Sequence, residues 1–379
     1  MKILAQNWRD IKNPEAGGAE VHLYEILRRL AKKGHQVTWV SSKFKGNKSL
    51  DKVDNIQIIR IGNKFNFNFV FFLHYLFRFR KQNFDVIIDD VSKVPLCVHL
   101  YSKKPTIAII HHIHGKSVFD ELPDIMAWYV YIMEKILLSW FYRSGLPYAI
   151  LTVSRSTKRE LMDFGIRERI HIVHNGINHN LFYSHNGNET LSRTFSPTIV
   201  YFGRVKRYKR IDHILRMFKL IKNKIPPAHL IIAGKGDNYK TLKNLSNSLK
   251  LNSVEFKGPI SEKEKIEILK KAWVYVITSR KEGWGISLVE ANAYGVPVVG
   301  YDIPGLRDSI REGYNGFLVE DGNIKELANK VMTLIENPKI RRKLSHNAKK
   351  WAKRFSWDKS AEEFERILGE VVWGEKQSS

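Results

Sequence analysis

Short apolar runs alternate with amphipathic stretches along almost the whole chain. "KILAQNWRDIKNPEAGGAEVHLYEILRRLAKKGHQVTWVSS" passes from an apolar strand through a long loop into a helix of 3.6-residue apolar period, stops at Gly34 and resumes as a second strand. Apolar strands recur at "FDVIIDD", "PTIAIIHH", "YAILTVS" and "RIHIVHNG", with helical segments among them. A parallel sheet wrapped by helices is the expected result. Residues 184–197, "SHNGNETLSRTFSP", show no sustained period and read as a linker. The alternation then restarts with "TIVYFGR", a helix from Ile211, "HLIIAGKG", "SVEFKG", a helix from Glu262, "WVYVITSR", "VPVVGYD", "GFLVED" and a helix from Ile324. The expected plan is an α/β chain of two doubly wound, Rossmann-like domains, 1–183 and 198–355. An amphipathic C-terminal helix, 356–379, follows, opened by Ser356 or Asp358.

One segment departs from this rhythm. Asn63 to Lys81, "NKFNFNFVFFLHYLFRFRK", is dense in phenylalanine, ends in basic residues and is too short to span a bilayer. Two readings stand: a helix buried under the sheet, since aromatics are mostly core, or an interfacial membrane helix with Arg78, Arg80 and Lys81 at the headgroups.

Composition narrows the class. A length of 379 residues suits two domains of ordinary size, and 43% hydrophobic content is that of a folded globular protein. The single cysteine, Cys97, excludes an intrachain disulfide framework and a thiolate metal cluster. The polar turn after the first apolar run, and the lack of any apolar stretch of about eighteen residues, predict a cytoplasmic chain without signal peptide or spanning helix. The formal charge of +25 draws the molecule to polyanions: nucleic acid, an anionic membrane surface or phosphorylated small molecules. A lysine-rich surface also arises from general composition and life at high temperature.

Four short stretches carry candidate chemistry. Gly17 and Gly18 lie where a loop becomes a helix, a place that presents unpaired N–H groups and a positive dipole end to an anion. His111, His112 and His114 follow a strand, at the end where open parallel sheets bind ligands, but their spacing matches no common zinc signature. One imidazole in a cleft, with the others packing or capping, is the reading taken here. Arg204 and Lys209 sit in the loop after "TIVYF" and suit a diphosphate, with Lys206, Arg207 and Arg210 crowding the same loop as an ordinary solvated basic patch would. In "SRKEGWGISLVEANAYGVPVV", Glu282 falls in a loop at a strand end and Glu290 on the helix that follows. Gly283 and Gly285 free the backbone for close approach. An ionised carboxylate accepts from two vicinal hydroxyls, which fits Glu290 to a ribose and Glu282 to a sugar. The rival use of two carboxylates is glycosidase-style acid and nucleophile.

Together these stretches resemble a known family. "EGWGISLVE" is similar to the E-x7-E signature of the retaining family 4 glycosyltransferases, which have the GT-B fold. "EANAYGVPVVGYDIPGLRDSIREGYNGFLVE" resembles the segment that follows it, and "YFGRVKRYKRIDHIL" the donor-phosphate motif. "AGGAEVHLYEIL" resembles the N-terminal glycine loop, "VHNGIN" the Asn-Gly turn, and "FSW" the start of the C-terminal helix. Trp284 stands where phenylalanine is more usual, and most of residues 60–140 matches nothing specific.

The resemblance implies two Rossmann-like domains facing across a cleft, the first for the acceptor and the second for the nucleotide sugar, with the C-terminal helix crossing back to the first. It implies that Arg204 and Lys209 bind the donor diphosphate, Glu290 holds the ribose and Glu282 contacts the transferred sugar. Amides near Gly285 and Ile286 would touch sugar or phosphate, and Gly17 and Gly18 would approach the diphosphate. The first-domain histidine corresponds to His111 or its neighbour His112. The implied activity is transfer of a hexose, with retention and without a metal or other cofactor, from a UDP- or GDP-linked sugar to an acceptor hydroxyl. The phenylalanine-rich basic segment and the overall charge, not the resemblance, point to a glycan or lipid-linked acceptor at an anionic membrane surface. An epimerase or phosphorylase of the same fold is one alternative. The other is a basic nucleic-acid-binding protein, for which charge is the sole support and no recognition motif appears.

Overall fold

The structure is a computed structural model that describes residues 1–142, 149–167, 169–179 and 196–374. The chain divides into two units, Met1–Val118 with Pro123–Gly176 and Trp357–Ser379, and Phe119–Leu122 with Ile177–Ser356. The division falls after Gly176, earlier than the segment 184–197 where a linker is expected, and most of that segment lies outside the described residues.

The first unit is built on an eight-stranded sheet in the order β3-β4-β2-β1-β5-β6-β7-β8. Its strands are β1 (Lys2–Gln6), β2 (Gln36–Ser42), β3 (Leu50–Val53), β4 (Ile56–Ile61), β5 (Val86–Asp90), β6 (Thr106–Ile110), β7 (Ala149–Thr152) and β8 (Ile170–Ile172). All pairs are parallel except β3 with β4, a hairpin absent from the sequence expectation. Its turn is Asp54-Asn55, both at positive φ (46° and 66°). Asn and Asp tolerate that region, so the hairpin had a local signal in "VDNI".

Side chains alternate along each strand and give the sheet two apolar faces. Ile3, Ala5, Val86, Ile88, Ile107 and Ile109 pack under α1 (Gly18–Lys32) and under the helix that begins at Trp357. The intervening residues Leu4 and Ile87 pack with α2 (Phe67–Phe77), while Ala108, Ile110 and Ile150 pack with Leu138 of α3 (Asp124–Phe141) and Leu161 of α4 (Arg155–Asp163). So α2 and α3 lie over the same side of the sheet.

The phenylalanine-rich segment buries one set of its aromatics, as the core reading expects, and leaves another set exposed. Phe67, Phe71, Tyr75 and Phe79 are buried, and Phe65, Phe69 and Phe77 are exposed. Among the described residues no helix is long and apolar enough to cross a membrane.

The second unit holds a parallel six-stranded sheet in the order β11-β10-β9-β12-β13-β14. Its strands are β9 (Thr198–Phe202), β10 (His229–Ala233), β11 (Val254–Gly258), β12 (Val274–Ile277), β13 (Val298–Tyr301) and β14 (Gly316–Val319). Its helices are α5 (Ile211–Lys224), α6 (Tyr239–Ser248), α7 (Glu262–Lys271), α8 (Ile286–Ala293), α9 (Leu306–Ser309), α10 (Ile324–Glu336) and α11 (Pro338–Ala352). Near-continuous apolar strands such as "TIVYF", fully buried, are what a parallel sheet covered on both faces requires. The last helix, α12 (Trp357–Trp373), begins directly after Ser356 and belongs to the first unit, where Phe364, Ile367 and Leu368 pack against Leu23, Ile26 and Leu30 of α1.

Candidate active site

In the second sheet the order of strands reverses between β9 and β12, the kind of switch point at which open α/β sheets bind ligands beyond the strands' C-terminal ends. The two loops that leave this point are stitched together. Thr278 Oγ1 donates to the carbonyls of Lys209 and Arg210, at 3.1 and 2.9 Å. Arg210 in turn donates through Nε to the Thr278 carbonyl (3.0 Å) and through Nη2 to that of Ser279 (3.1 Å), and pairs with Asp321. Arg210 thus serves the loop scaffold.

The remaining side chains of these loops gather around Tyr208, which is buried. Arg204 Nη2 donates to its hydroxyl at 2.6 Å, and the Lys209 ammonium lies 5.0 Å from its ring centroid. Lys209 also pairs with Glu282, whose Oε1 accepts from Ser279 Oγ at 2.7 Å. Burial pulls the Lys209 ammonium toward neutrality, but the charge and hydrogen bond of Glu282 together with Tyr208 offset it and hold the pKa above its ordinary value. The backbone of Glu282 is pinned from behind: Gly305 sits at φ +86°, and a Cβ there would meet the Glu282 carbonyl oxygen at 2.1 Å.

Gly285 caps α8 at φ +92°, a left-handed conformation that favours glycine. The N–H groups of Ile286 and Ser287 open this helix. Glu290, on its second turn, accepts from Lys265 of α7 at 2.9 Å. Burial raises the Glu290 carboxyl above its ordinary value against the pull of Lys265. The structure therefore brings together Arg204, Lys209, Glu282, Gly285, Ile286 and Glu290 at one switch point. It leaves Lys206 on the exposed side, paired with Asp237.

The first sheet also reverses, between β1 and β5. There the strand ends bear neutral amides opposite carboxylates: Gln6 donates to Asp89, and Asn7 Nδ2 donates to Asp90 at 2.5 Å. Asp89 further accepts from the Val98 N–H and the Tyr142 hydroxyl, both at 3.3 Å. Burial raises its carboxyl to about 6, with these donors opposing the rise. His111 is buried and bonds Asp90 through Nε2 at 2.8 Å. His112 instead meets His114 edge to face, with centroids 4.4 Å apart. The ring partner of His111 is His22 of α1, 5.1 Å away, which burial and His111 hold well below the ordinary imidazole value. At the start of α1, the Gly17 N–H is already taken by the Glu20 carboxylate at 2.7 Å. An anion there would meet the N–H groups of Gly18 and its successors. Among the described residues no group of three His, Cys, Asp or Glu side chains is placed to hold a metal ion.

The pattern described as "Glycosyl transferases group 1" matches residues 186–351, and that described as "Glycosyltransferase Family 4" matches residues 16–181. The chain belongs to the family 4 glycosyltransferases.

An uncharacterized glycosyltransferase of Methanocaldococcus jannaschii is 25% identical to this glycosyltransferase over 98% of its chain and 99% of the relative. Among solved structures, sucrose-phosphate synthase from Thermosynechococcus elongatus superposes with a TM-score of 0.80 at 18% identity, covering 98% of this chain and 99% of that one. Anabaena HepE, solved in complex with UDP and glucose, gives a TM-score of 0.76 at 18% identity, covering 97% and 99%. At such identities these likenesses speak for the fold, and the fold is GT-B.

Several residues around the glycosyltransferase's switch points escaped the sequence reading. Asp89 and Asp90 carried a signal, two acids at the end of an otherwise apolar strand. Tyr208 and Ser279 lie inside stretches singled out for their neighbours. Lys265 carried none, because its meeting with Glu290 depends on how α7 and α8 pack.

Proposed function

We propose that the protein transfers a hexose from a nucleoside diphosphate sugar, UDP- or GDP-linked, to a hydroxyl of a glycan or lipid-linked acceptor, with retention at the anomeric carbon. The observation that carries this reading is the Tyr208-centred cluster, in which Arg204 and Lys209 stand beside Glu282 at the switch point of the second unit. Two cations held on a rigid phenol are suited to the charge that builds on a departing diphosphate, which gives the protein's own side chains the task a metal performs elsewhere. The UDP and glucose bound by Anabaena HepE support a nucleotide-sugar donor of the same kind.

Glu290 is assigned to the ribose diol. Lys265 keeps that carboxyl anchored and leaves acceptor capacity for hydroxyls, since a carboxylate has about four lone-pair sites. Glu282 is assigned to the hydroxyls of the transferred sugar, and the amides at Gly285 and Ile286 to sugar or phosphate. Its pairing with Lys209 suits a positioning and stabilising carboxylate, not a covalent nucleophile. The acceptor's proton would then pass to the leaving phosphate on the same face. From the first unit, Gly17 and Gly18 are assigned to the diphosphate and His111, held by Asp90, to the reacting sugar or acceptor.

The test is a thermal-shift screen of nucleoside diphosphates and their sugars, followed by measurement of nucleoside diphosphate release with lipid extract as acceptor. A bound donor at a hundred times its dissociation constant adds about 2.7 kcal/mol to stability. No shift with any donor, together with no release, overturns the reading. Saturable, sequence-selective nucleic-acid binding would replace it.

A further inference from the structure

The outer side of α3 runs against the usual economy of a helix on a protein surface. Ile125, Trp128, Tyr129, Ile132, Ile136 and Trp140 recur every three or four residues and are all exposed, Ile125 at 87% and Trp140 at 74%. That period puts them along one side of the helix, a stripe about 22 Å long at about 1.5 Å per residue. The opposite side is spent on the domain. Ala127, Val130 and Leu138 are buried, and Glu134 accepts from the N–H groups of His114 and Gly115, both at 2.7 Å. Those two bonds tie α3 flat to the loop after β6, so the stripe is held outward. An apolar stripe of this size on a soluble surface marks an interaction site.

The neighbourhood says what covers it. α2 lies over the same side of the sheet, and Phe69 and Phe77 on it, with Phe65 in the turn before it, are exposed. Around them stand Lys64, Arg78, Arg80 and Lys81, all exposed and in no ion pair among the described residues, and Lys135 projects from α3 itself. Asp124 is the exposed acid on α3. Tryptophan and tyrosine partition to the headgroup level of a bilayer, and each nearby cation adds about 1 kcal/mol of attraction to an anionic leaflet. A second copy of the chain is a poorer occupant, because joining two such faces sets like charges together.

We propose that this face of the first unit, with the α3 stripe as its main insertion element and the α2 aromatics and cations beside it, docks on an anionic lipid surface. The proposal deepens the reading of a lipid-linked acceptor, and is tested without any sugar transfer. Full-length protein is sedimented with phosphatidylcholine vesicles with or without phosphatidylglycerol, beside a W128S/W140S variant and an F65S/F69S/F77S variant. All five substitutions are at exposed positions, and circular dichroism with the donor thermal shift reports that each variant is folded.

The wild type is expected to bind the phosphatidylglycerol vesicles in a salt-sensitive way, with its tryptophan emission moving to the blue. The tryptophan variant should bind at least about tenfold more weakly, a loss of about 1.4 kcal/mol or more. The phenylalanine variant should fall between them. Absence of wild-type binding overturns the proposal, as does undiminished binding by the folded tryptophan variant. A wild-type dimer that the tryptophan substitutions dissociate would also overturn it, by giving the stripe to a second copy. A donor shift that survives in every variant separates failure of the surface from failure of the transferase reading.

Discussion

Two switch points, one in each sheet, have been furnished with opposite chemistry. At the junction of β9 and β12 the carboxylates are ionically paired, Glu282 with Lys209 and, on the helix behind, Glu290 with Lys265. At the junction of β1 and β5 the carboxylates are met by neutral donors: Gln6 and Tyr142 on Asp89, and Asn7 and the His111 imidazole on Asp90. A buried carboxylate with a cation stays ionised and leaves the cation poised for a second anion. Burial raises the carboxyl at both junctions, Glu290 against the pull of Lys265 and Asp89 against neutral donors alone. The second unit thus has the cations that the proposed phosphate ligand needs. The first holds its strand ends in a polar but weakly charged network that orients His111.

The sharpest way to break this comparison is to remove the cation. Lys209→Met should lower turnover by about 10²–10³-fold, the cost typical of one lost group that stabilises developing charge, while the fold survives. Steady-state release of nucleoside diphosphate checks it, and near-normal turnover would deprive the ionic pair of its role.

The neutral network is broken next at Asp89. Its carboxyl stands at about 6, above the ordinary value near 4, so the folded state holds the proton more tightly than the unfolded chain. That contribution to stability is complete below about pH 4 and is lost as pH rises through about 6, amounting to about 3 kcal/mol. Denaturation of the wild type and of Asp89→Asn across that window should show the difference between them changing with this sign. A difference that does not vary with pH would mean that Asp89 stays ionised.

Glu290→Gln probes the second ionic pair. It exchanges a charged acceptor for a neutral one and should weaken donor binding by about 2 kcal/mol, some thirtyfold, with a smaller effect on maximal turnover. Donor titration followed by thermal shift reads this directly. A loss in turnover with unchanged affinity would move Glu290 from the ribose to the reacting sugar.

The smallest effect is expected at Lys206. It pairs with Asp237 across an exposed surface, and Lys206→Ala should change stability by less than about 1 kcal/mol and turnover by less than about twofold. A large loss would show that the whole basic loop, and not the Tyr208 cluster within it, grips the donor.

Much of this was legible in the one-dimensional pattern. The strand, helix alternation fixed two parallel sheets because fully apolar runs and amphipathic helices have few other ways to bury their faces. The apolar period of the last helix showed that it had a face to bury. Glu282, Glu290, Arg204 and Lys209 could be named because residues at strand ends and helix starts are near the ligand in any such sheet. Gly285 follows from a backbone demand that side chains resist, φ +92°, whereas the need for Gly305, pressed against Glu282, arises only in the fold.

What only the tertiary structure decided is who meets whom. Lys265 and Glu290 are 25 positions apart on different helices, and Lys209 and Glu282 73 apart on different strand loops. Such pairings depend on strand order and helix packing, which local periodicity does not encode. The same holds for α3. Its composition reads as core from every local point of view, because a sequence states how apolar a helix is and not how much of it finds a partner. Packing against the sheet takes one side of α3, and the stripe from Ile125 to Trp140 is what the fold leaves uncovered.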